Sequence, residues 1–285
     1  MNTTAAKVIV SAWESEGFLL ERYAYSSGWV EPIPKHVHAA YQFALCCDQP
    51  GEYHYRGTWH QLPQGSLSII HSGEVHAPSE RTNLVSPASF WMMQADPAML
   101  QAAASEITEK PMGLPYFDLV VLDIKVIQIY QRLHYTVAQA ASQLEQNSIL
   151  LLLLTQLISR YAQGRPIIRP LKVARPAVLR VRDFLQAHYA DDVALEQLAD
   201  LAQLSRFHLC RVFRKEMGVS PHVYQRQVRI DRAKALLTRG RPIAQVASET
   251  GFYDQTHFSW HFKQLVGVTP GNYLRRSNNV LDKPG

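Results

Sequence analysis

The sequence predicts an α+β chain of two domains, with a small antiparallel β-barrel and a helical segment in front and an all-helical domain behind. Short strand-like segments fill the first hundred residues, a strongly apolar helical segment follows, and a repeat lies near the C-terminus. At 285 residues the chain is long enough for two hydrophobic cores. The expected parts are a barrel at 1–100, a helical segment at 101–163, a linker at 164–173 and an all-helical domain at 174–279.

The repeat is defined by a shift of 49 residues. It pairs His208 with His257, Phe213 with Phe262, Gly218 with Gly267, Pro221 with Pro270 and Tyr224 with Tyr273. Ser205 and Asp254 are suited to cap a helix at its start, and the two glycines are suited to end it in a left-handed conformation. Between them the apolar residues recur at three- and four-residue spacing, which predicts one buried stripe on each helix.

A short amphipathic segment precedes each copy of the repeat, at Leu195–Ala202 and at Ile243–Thr250. A short helix, a tight turn and a capped second helix are typical of helix-turn-helix units, here 195–217 and 243–266. The residues at 221–237 can form one helix about 25 Å long between the units. We therefore expect two recognition helices that enter successive major grooves of DNA. A plain helical hairpin without a ligand is the alternative.

The charge is unevenly divided along the chain. Residues 170–285 carry 18 Lys and Arg against 10 Asp and Glu, whereas residues 1–169 carry 11 against 14. A basic C-terminal part is expected to face a polyanion such as double-stranded DNA.

The cysteine content and the apolar runs bear on the compartment. Cys46, Cys47 and Cys210 are too few for a disulfide framework, and an odd number suits a reducing interior. The N-terminus lacks the pattern of a secretion signal, and the longest apolar run, Ile149–Leu154, is far shorter than the ~20 residues of a membrane span. These features predict a cytoplasmic protein with no membrane partner.

The first hundred residues alternate between β-rich segments and turn signals, as in a small antiparallel barrel or jelly roll. The expected strands are Phe18–Tyr25, Tyr41–Cys47, Gly51–Tyr55, Trp59–Leu62, Leu67–Ile70 and Ser89–Met93.

A histidine pattern lies within this region. If residues 36–42 are extended, His36, His38 and Gln42 share one face, and His76 follows some way along the chain. This arrangement resembles the cupin motif, in which histidines and a carboxylate can hold a metal. Because Gln42 stands in the place of the carboxylate, we expect no metal. We expect a pocket in which these four side chains and Tyr53 bind a small molecule, and purely structural histidines are the alternative.

Aromatic residues on neighbouring strands, Tyr53, Tyr55, Trp59 and Trp91, could line such a pocket or pack in the core, and the sequence does not decide which face inward.

Three helices are predicted after the barrel, at Pro97–Ile107, Val121–His134 and Ser142–Tyr161. The last is apolar around most of its circumference, so it needs cover on more than one side. A second copy of the chain would supply that cover, which makes this helix the expected contact of a homodimer. Burial within one subunit is the alternative.

The segment Gly251–Lys263, followed by Gly267–Pro270 and Tyr273, resembles the signature of AraC-type transcription regulators over about a hundred residues. The barrel adds the His36 and His38 strand and Gly73–His76 to this resemblance, which then covers the whole chain. It implies a DNA-binding regulator, expected to be an activator, with a small-molecule effector in a sugar-binding-type cupin domain and RNA polymerase as a partner.

The resemblance also implies which residues read DNA. The exposed set is Arg206, Phe207, Cys210 and Arg211 in the first recognition helix, and Gln255, Thr256, Ser259 and Trp260 in the second. Arg211 can contact guanine as a fork and Gln255 adenine, while Arg214 and Lys263 are better placed for phosphate. In the first helix, Cys210 stands where a polar residue is usual. In the second, Trp260 stands where family members often carry Arg, and because Trp cannot make the forked contact the second unit is expected to read bases less sharply.

Two other functions remain open at this point. A metal-dependent cupin enzyme fused to a DNA-binding module would need the barrel histidines to hold a metal without a carboxylate. An architectural DNA-binding protein would need no effector at all.

Overall fold

A computed structural model of the chain describes residues 4–15, 17–78, 83–164 and 175–274. They form two compact units, one within Met1–Tyr135 and Leu151–Arg169, the other within Thr136–Leu150 and Pro170–Gly285. The predicted linker at 164–173 lies, apart from Gly164, outside the described residues.

The first unit is built on antiparallel sheets. Its strands are β1 (Val8–Ser15), β2 (Phe18–Tyr25), β3 (Gly28–Trp29), β4 (Tyr41–Cys46), β5 (Gly51–Tyr55), β6 (Thr58–Leu62), β7 (Leu67–Ile70), β8 (His76–Pro78), β9 (Asn83–Leu84), β10 (Ala88–Ala95) and β11 (Val120–Val121). The larger sheet has the order β1-β2-β10-β4-β7-β11, and a smaller one has the order β6-β5-β8. The six predicted strands are therefore all present, and the β-rich N-terminal fold is confirmed.

The period of two in β4 separates a cavity from the hydrophobic core. Gln42, Ala44 and Cys46 line the cavity, while Phe43 and Leu45 between them point to the other side and are buried. On that side the hydroxyl of Tyr130 donates to the carbonyl oxygens of Phe43 and Trp91, at 3.0 Å each. One face of the sheet is thus closed by helix, and the other is free to line a site.

The helices that follow the barrel are α1 (Pro97–Thr108), α2 (Ile124–Ala138) and α3 (Gln143–Tyr161). Helix α2 begins later than predicted, because Val120 and Val121 pair with Ser68 and Leu67 as strand β11.

The apolar residues of α3 are mostly buried within this chain, including Leu144, Leu151, Leu153, Leu154 and Leu157. Burial within one subunit, which was the alternative to the predicted dimer contact, therefore accounts for these leucines. A helix that is already covered needs no second copy, so the physical reason for placing a dimer contact on α3 is lost.

The second unit contains α4 (Arg175–Ala187), α5 (Leu195–Ala202), α6 (Arg206–Met217), α7 (Pro221–Thr238), α8 (Ile243–Glu249) and α9 (Gln255–Val266). Helices α4, α5 and α6 pack together, as do α7, α8 and α9. Helix α7 also contacts α4 and α6, so it belongs to both clusters. The predicted all-helical domain with two helix-turn-helix units is confirmed. No helix in the described part of the chain combines the length and the apolar character needed to cross a membrane.

The sequence repeat is also a structural repeat. The Ser205 hydroxyl accepts from the amide of His208 at 3.1 Å, and the Asp254 carboxylate accepts from the amide of His257 at 2.7 Å. Gly218 and Gly267 end the two helices with φ of 77° and 85°. After each glycine a tyrosine ring meets a core phenylalanine edge-on, Tyr224 with Phe213 at 5.7 Å and Tyr273 with Phe262 at 5.4 Å. Both caps predicted from the sequence are present.

Candidate nucleic-acid interface and ligand cavity

The first recognition helix, α6, buries one face and leaves a basic one accessible. Leu209, Val212 and Phe213 are buried, Arg214 is exposed, and Cys210 and Arg211 are partly exposed. Four of the predicted DNA-reading residues of this helix therefore lie outside its core, Arg206 included.

Arg206 is held by an ion pair at the start of α6. Its Nη1 donates to Oε1 of Glu196 on α5 at 2.7 Å, and both side chains are well exposed. Exposed pairs of this kind contribute ~0–1 kcal/mol, so Arg206 can leave Glu196 for a base or a phosphate at little cost.

The prediction that Phe207 faces a base edge is wrong, since its side chain is only 3% exposed. The guanidinium carbon of Arg211 lies 5.1 Å from the centre of its ring. Burying a phenyl ring contributes about 1.5–3 kcal/mol, which an exposed position would forfeit. Phe207 therefore supports the helix, with the Arg211 side chain against its ring.

The second recognition helix, α9, presents its predicted set more openly. Gln255, Thr256 and Lys263 are exposed, Ser259 is partly exposed, and Trp260 is 56% exposed. The buried stripe is shorter than predicted: Phe258 and Phe262 are fully buried, but Leu265 is exposed. The Trp260 ring meets His261 edge-on at 4.6 Å and otherwise offers a large aromatic surface for contact.

His257 sits between the core and the accessible face of α9. Its Nε2 lies 2.8 Å from Nε2 of His261, and burial lowers the pKa of His257 below its usual value. The ring is therefore neutral at pH 7 and brings no positive charge to a phosphate. This geometry favours a structural role for His257 over contact with DNA.

A buried arginine on α7 ties the two helix-turn-helix units together. Arg229 donates to the carbonyl oxygens of Tyr189 at 2.6 Å, Asp191 at 2.9 Å and Gly251 at 2.6 Å. The first two carbonyls lie in the connection between α4 and α5, and the third lies in the turn between α8 and α9. A Cβ at Gly251 would come within 2.2 Å of the Ala190 oxygen, so the turn packs against that connection. Arg229 thereby fixes the first helix-turn-helix relative to the second.

A cavity of about 380 Å³ lies among the sheets of the first unit. It brings together the whole set of predicted effector-binding residues, namely His36, His38, Gln42, Tyr53 and His76. Of the other aromatic candidates, Tyr55 is buried with its hydroxyl 2.8 Å from His71, Trp59 is exposed, and Trp91 lies under the Arg22 guanidinium.

Several cavity residues were not singled out from the sequence. They are Tyr23, Tyr25, Phe90, Met92 and Gln94, which alternate along β2 and β10. The register places Gln94 opposite Gln42, so the amide of Gln94 enters the same polar end of the cavity. The period of two was a usable signal, because Trp91 and Met93 between them point the other way.

The histidines meet through backbone pairing that differs from the predicted extended strand. Strand β4 begins only at Tyr41. The amides of His36 and His76 each donate to the other residue's carbonyl, at 2.9 and 3.0 Å, and the Gly73 amide donates to the His38 carbonyl at 2.9 Å. The ring of His76 lies 4.3 Å from that of His36 and 4.8 Å from that of His38.

Tyr53 and His76 are both neutral inside the cavity. Burial lowers the pKa of His76 to about 4, and burial raises the pKa of Tyr53 above its usual range. The Tyr53 hydroxyl accepts from the Gln42 amide at 3.1 Å. These two side chains therefore offer an uncharged donor and acceptor to a ligand.

Comparison with known proteins agrees with this architecture. A family model described as an AraC-like ligand binding domain matches residues 21–154, and one described as a helix-turn-helix domain matches residues 198–276. The HTH-type transcriptional regulator YbfI of Bacillus subtilis is 30% identical over 249 residues, which cover 84% of this chain and 85% of that protein.

Two further proteins are similar over most of the chain. The probable transcriptional regulator LumQ of Photobacterium leiognathi is 26% identical over 236 residues, covering 79% of this chain and 93% of that one. The crystal structure of ToxT from Vibrio cholerae covers 91% of this chain and 95% of its own, at 14% identity and a TM-score of 0.39. The chain belongs to the AraC family and is a transcriptional regulator with an AraC-type helix-turn-helix DNA-binding domain and an AraC-like ligand-binding domain.

Proposed function

We propose that the chain is a transcriptional activator, controlled by a small molecule that binds in the barrel cavity. It acts in the cytoplasm, on double-stranded DNA and with RNA polymerase. The convergence of His36, His38, Gln42, Tyr53 and His76 on one cavity is the observation that carries the effector part of this proposal.

The helices α6 and α9 support the DNA-binding part. Arg211 suits guanine, Gln255 suits adenine, and the Thr256 methyl suits thymine. Arg214 and Lys263 are exposed near the ends of their helices, where they suit phosphate contacts.

The lining of the cavity indicates the kind of effector. Imidazole, amide and phenol groups occupy one part, and Leu62, Phe90 and Met92 supply apolar surface elsewhere. A volume of about 380 Å³ falls within the usual range for small-molecule sites. A molecule with an apolar body and a few hydrogen-bonding groups fits this chemistry.

A ligand can control the regulator only by binding two of its states with unequal affinity. We therefore expect the effector to change the affinity for an operator, the recruitment of RNA polymerase, or both. An effector that changes neither would contradict control by the cavity.

A cavity-filling variant tests the proposal. Ala44 is buried and lines the cavity, so Ala44→Leu should block the effector while DNA binding without effector persists. Ala24→Leu, at an exposed position of β2, is the matched control. A thermal-shift screen of sugars, amino acids and aromatic acids identifies a stabilising compound, and fluorescence anisotropy with an operator fragment then measures the response. An equal response in Ala44→Leu and wild type would place the effector outside the cavity.

The proposal includes a homodimer as the DNA-bound form. Burial of the α3 leucines within the chain gives no support to a dimer contact on that helix, and a substitution such as Leu151→Asp would report on folding, because Leu151 is buried. Sedimentation of the wild-type chain with and without operator DNA tests the dimer directly.

The regulators among its relatives favour this function over a metal-dependent enzyme. An architectural role without an effector would not account for the imidazole, amide and phenol groups that converge in one part of the cavity.

A further inference from the structure

The three cavity histidines are arranged as metal ligands, although no carboxylate stands beside them. We propose that His36, His38 and His76 form a binding site for a divalent transition-metal ion of the zinc and cobalt type. This proposal goes beyond the effector cavity and does not depend on it.

The hydrogen bonds of the three rings fix which nitrogen is available. Nδ1 of His36 lies 2.9 Å from the Pro34 oxygen, Nδ1 of His38 lies 2.8 Å from the Ala40 oxygen, and Nδ1 of His76 lies 3.1 Å from the Glu74 oxygen. A carbonyl oxygen can only accept, so each Nδ1 must carry the hydrogen. In the neutral ring the lone pair is then at Nε2. Histidines that bind metals are commonly oriented in this way, with the second nitrogen donating to a carbonyl.

One of these lone pairs is buried without a partner. His76 is 0% exposed, and its Nε2 has no hydrogen-bond partner in the described part of the chain. Leaving a buried acceptor unsatisfied is unfavourable, and most buried polar atoms have a partner. A metal ion would supply one here.

A second lone pair faces another acceptor. Nε2 of His38 lies 3.1 Å from Oε1 of Gln42, whose amide nitrogen donates to the Tyr53 hydroxyl. Two acceptors at this distance repel each other unless a proton or a cation is shared between them. Rotation of the Gln42 amide is the other remedy, and it would occupy the His38 lone pair.

The spacing and the ligand type both suit such an ion. One ligand nitrogen from each ring lies within 4.8 Å of the others. Two nitrogens bonded to one zinc ion at about 2.1 Å can be at most about 4.2 Å apart, so small movements of the rings close the site. Imidazole is a good ligand for zinc, cobalt and nickel and a poor one for magnesium and calcium.

The absence of a carboxylate at position 42 does not exclude this site. Three imidazoles are a sufficient protein ligand set for zinc, and such a set leaves a position for a water molecule or for a donor atom of a bound ligand. Glu31 and Glu52 line the same cavity and lower the cost of placing a cation there.

Metal binding is measured on tag-free full-length protein stripped with a chelator. Equilibrium dialysis against Zn²⁺ with elemental analysis gives stoichiometry and affinity, and Co²⁺ reports coordination through its visible d–d absorption. We expect about one ion per chain, with Mg²⁺ and Ca²⁺ not competing. His36→Gln and His38→Gln should each lower the Zn²⁺ affinity at least tenfold, while His60→Gln, on β6 outside the cluster, should leave it unchanged.

The buried His76 needs a second readout, because His76→Gln could prevent folding. Zn²⁺ should raise the midpoint of thermal unfolding of wild type and His60→Gln, since a ligand that binds only the folded state stabilises it. At the same Zn²⁺ concentration it should raise the midpoint clearly less in His36→Gln and His38→Gln, both of which replace partly exposed residues. Substoichiometric binding in wild type, or an affinity that neither His36→Gln nor His38→Gln changes, would overturn the proposal.

These measurements use neither DNA nor an organic effector. A chain that binds no metal but still responds to a small molecule would disprove the metal site alone. A chain that binds metal but whose operator affinity responds to no cavity ligand would disprove the proposed effector control and leave the metal site intact.

Discussion

The two recognition helices share one scaffold and differ in the surface they present. Ser205 and Asp254 cap them in the same way, and Gly218 and Gly267 end them in the same left-handed conformation. At equivalent positions of their outer faces, however, Arg211 of α6 corresponds to Trp260 of α9. Where α6 buries Phe207 against the core, the equivalent residue of α9, Thr256, is exposed.

The fold dictates some positions of the two helices and leaves others free to vary. Caps, terminal glycines and the Phe–Tyr contacts are required to form and dock each helix, so both copies retain them. Residues that point away from the core are not required for folding and can diverge with the DNA sequence to be read. The first helix then suits a forked contact to guanine, whereas the second relies on amide, hydroxyl and aromatic groups.

The largest contrast is expected between Phe207→Ala and Thr256→Ala. Phe207→Ala should lower the free energy of unfolding by about 3–5 kcal/mol, because it removes a buried aromatic side chain. Thr256→Ala, at the equivalent exposed position, should change it by less than about 0.5 kcal/mol. Urea unfolding followed by circular dichroism measures both. Equal effects would mean that the two helices are docked alike and that Phe207 is not part of the core.

Arg229→Met tests how the two units are held together. The substitution leaves the carbonyls of Tyr189, Asp191 and Gly251 without their donor, and we expect a loss of about 3 kcal/mol. Arg232→Met, three residues on at an exposed position of the same helix, is the control and should cost no more than about 1 kcal/mol, because it loses only the contact of its guanidinium with the Tyr189 ring. If Arg229→Met is as stable as the control and binds DNA as tightly, the arginine does not set the arrangement of the units.

Arg211→Ala and Trp260→Ala compare readout by the two helices. Arg211→Ala should weaken binding to the cognate site by about 1–3 kcal/mol and relax the preference at one base pair. Trp260 cannot form the forked contact, so Trp260→Ala should cost less than Arg211→Ala and leave base preference largely unchanged. Titration of cognate and single-mismatch duplexes provides the measurement. A loss for Arg211→Ala that is equal on random DNA would show that Arg211 contacts only phosphate.

The smallest effects are expected at the one outer position where both copies carry a basic residue, Arg214 in α6 and Lys263 in α9. Arg214→Met and Lys263→Met should each weaken binding about equally on all sequences and reduce the slope of log affinity against log salt by about 1. Affinities measured over a range of salt concentrations give these slopes. An unchanged slope for either variant would remove that side chain from the phosphate contacts.

Local signals in the sequence predicted the features that depend on local interactions. Caps, helix-ending glycines and the buried stripe of α6 follow from neighbouring residues, and the structure has them. The stripe of α9 is present but shorter, because Leu265 is exposed. The burial of Phe207 depends on packing against other helices, so the pattern within α6 did not show it. Burial of the α3 leucines is likewise a tertiary property. The sequence of a strongly apolar helix is the same whether its own chain or a second copy buries it, so the sequence alone did not distinguish the two.

Only part of the cavity could be predicted from the sequence, because its assembly also depends on contacts between residues that are far apart in the chain. The His36, His38 and Gln42 pattern was readable, but their approach to His76 depends on a bridge between residues far apart in the sequence. Cavity residues on β2 and β10 share a face with the predicted ones only through the strand register. The carbonyl partners that fix the histidine tautomers lie in irregular backbone, which no periodic pattern describes.

If the two recognition helices are held at a fixed separation, the helix-turn-helix units must contact DNA at a fixed spacing. Helix α7, 18 residues or about 27 Å long, joins the units, and Arg229 holds them. On a duplex selected from a random library with the full chain, hydroxyl-radical footprinting should show two protected segments about one turn apart on one face. Inserting about 5 bp between them should lower the affinity at least tenfold, because it moves one segment to the opposite face of the duplex. An insertion of about 10 bp should not restore the affinity, because helix α7 and the Arg229 contacts fix the distance between the recognition helices. Unchanged affinity after the 5 bp insertion would contradict two groove-reading helices held at a fixed separation.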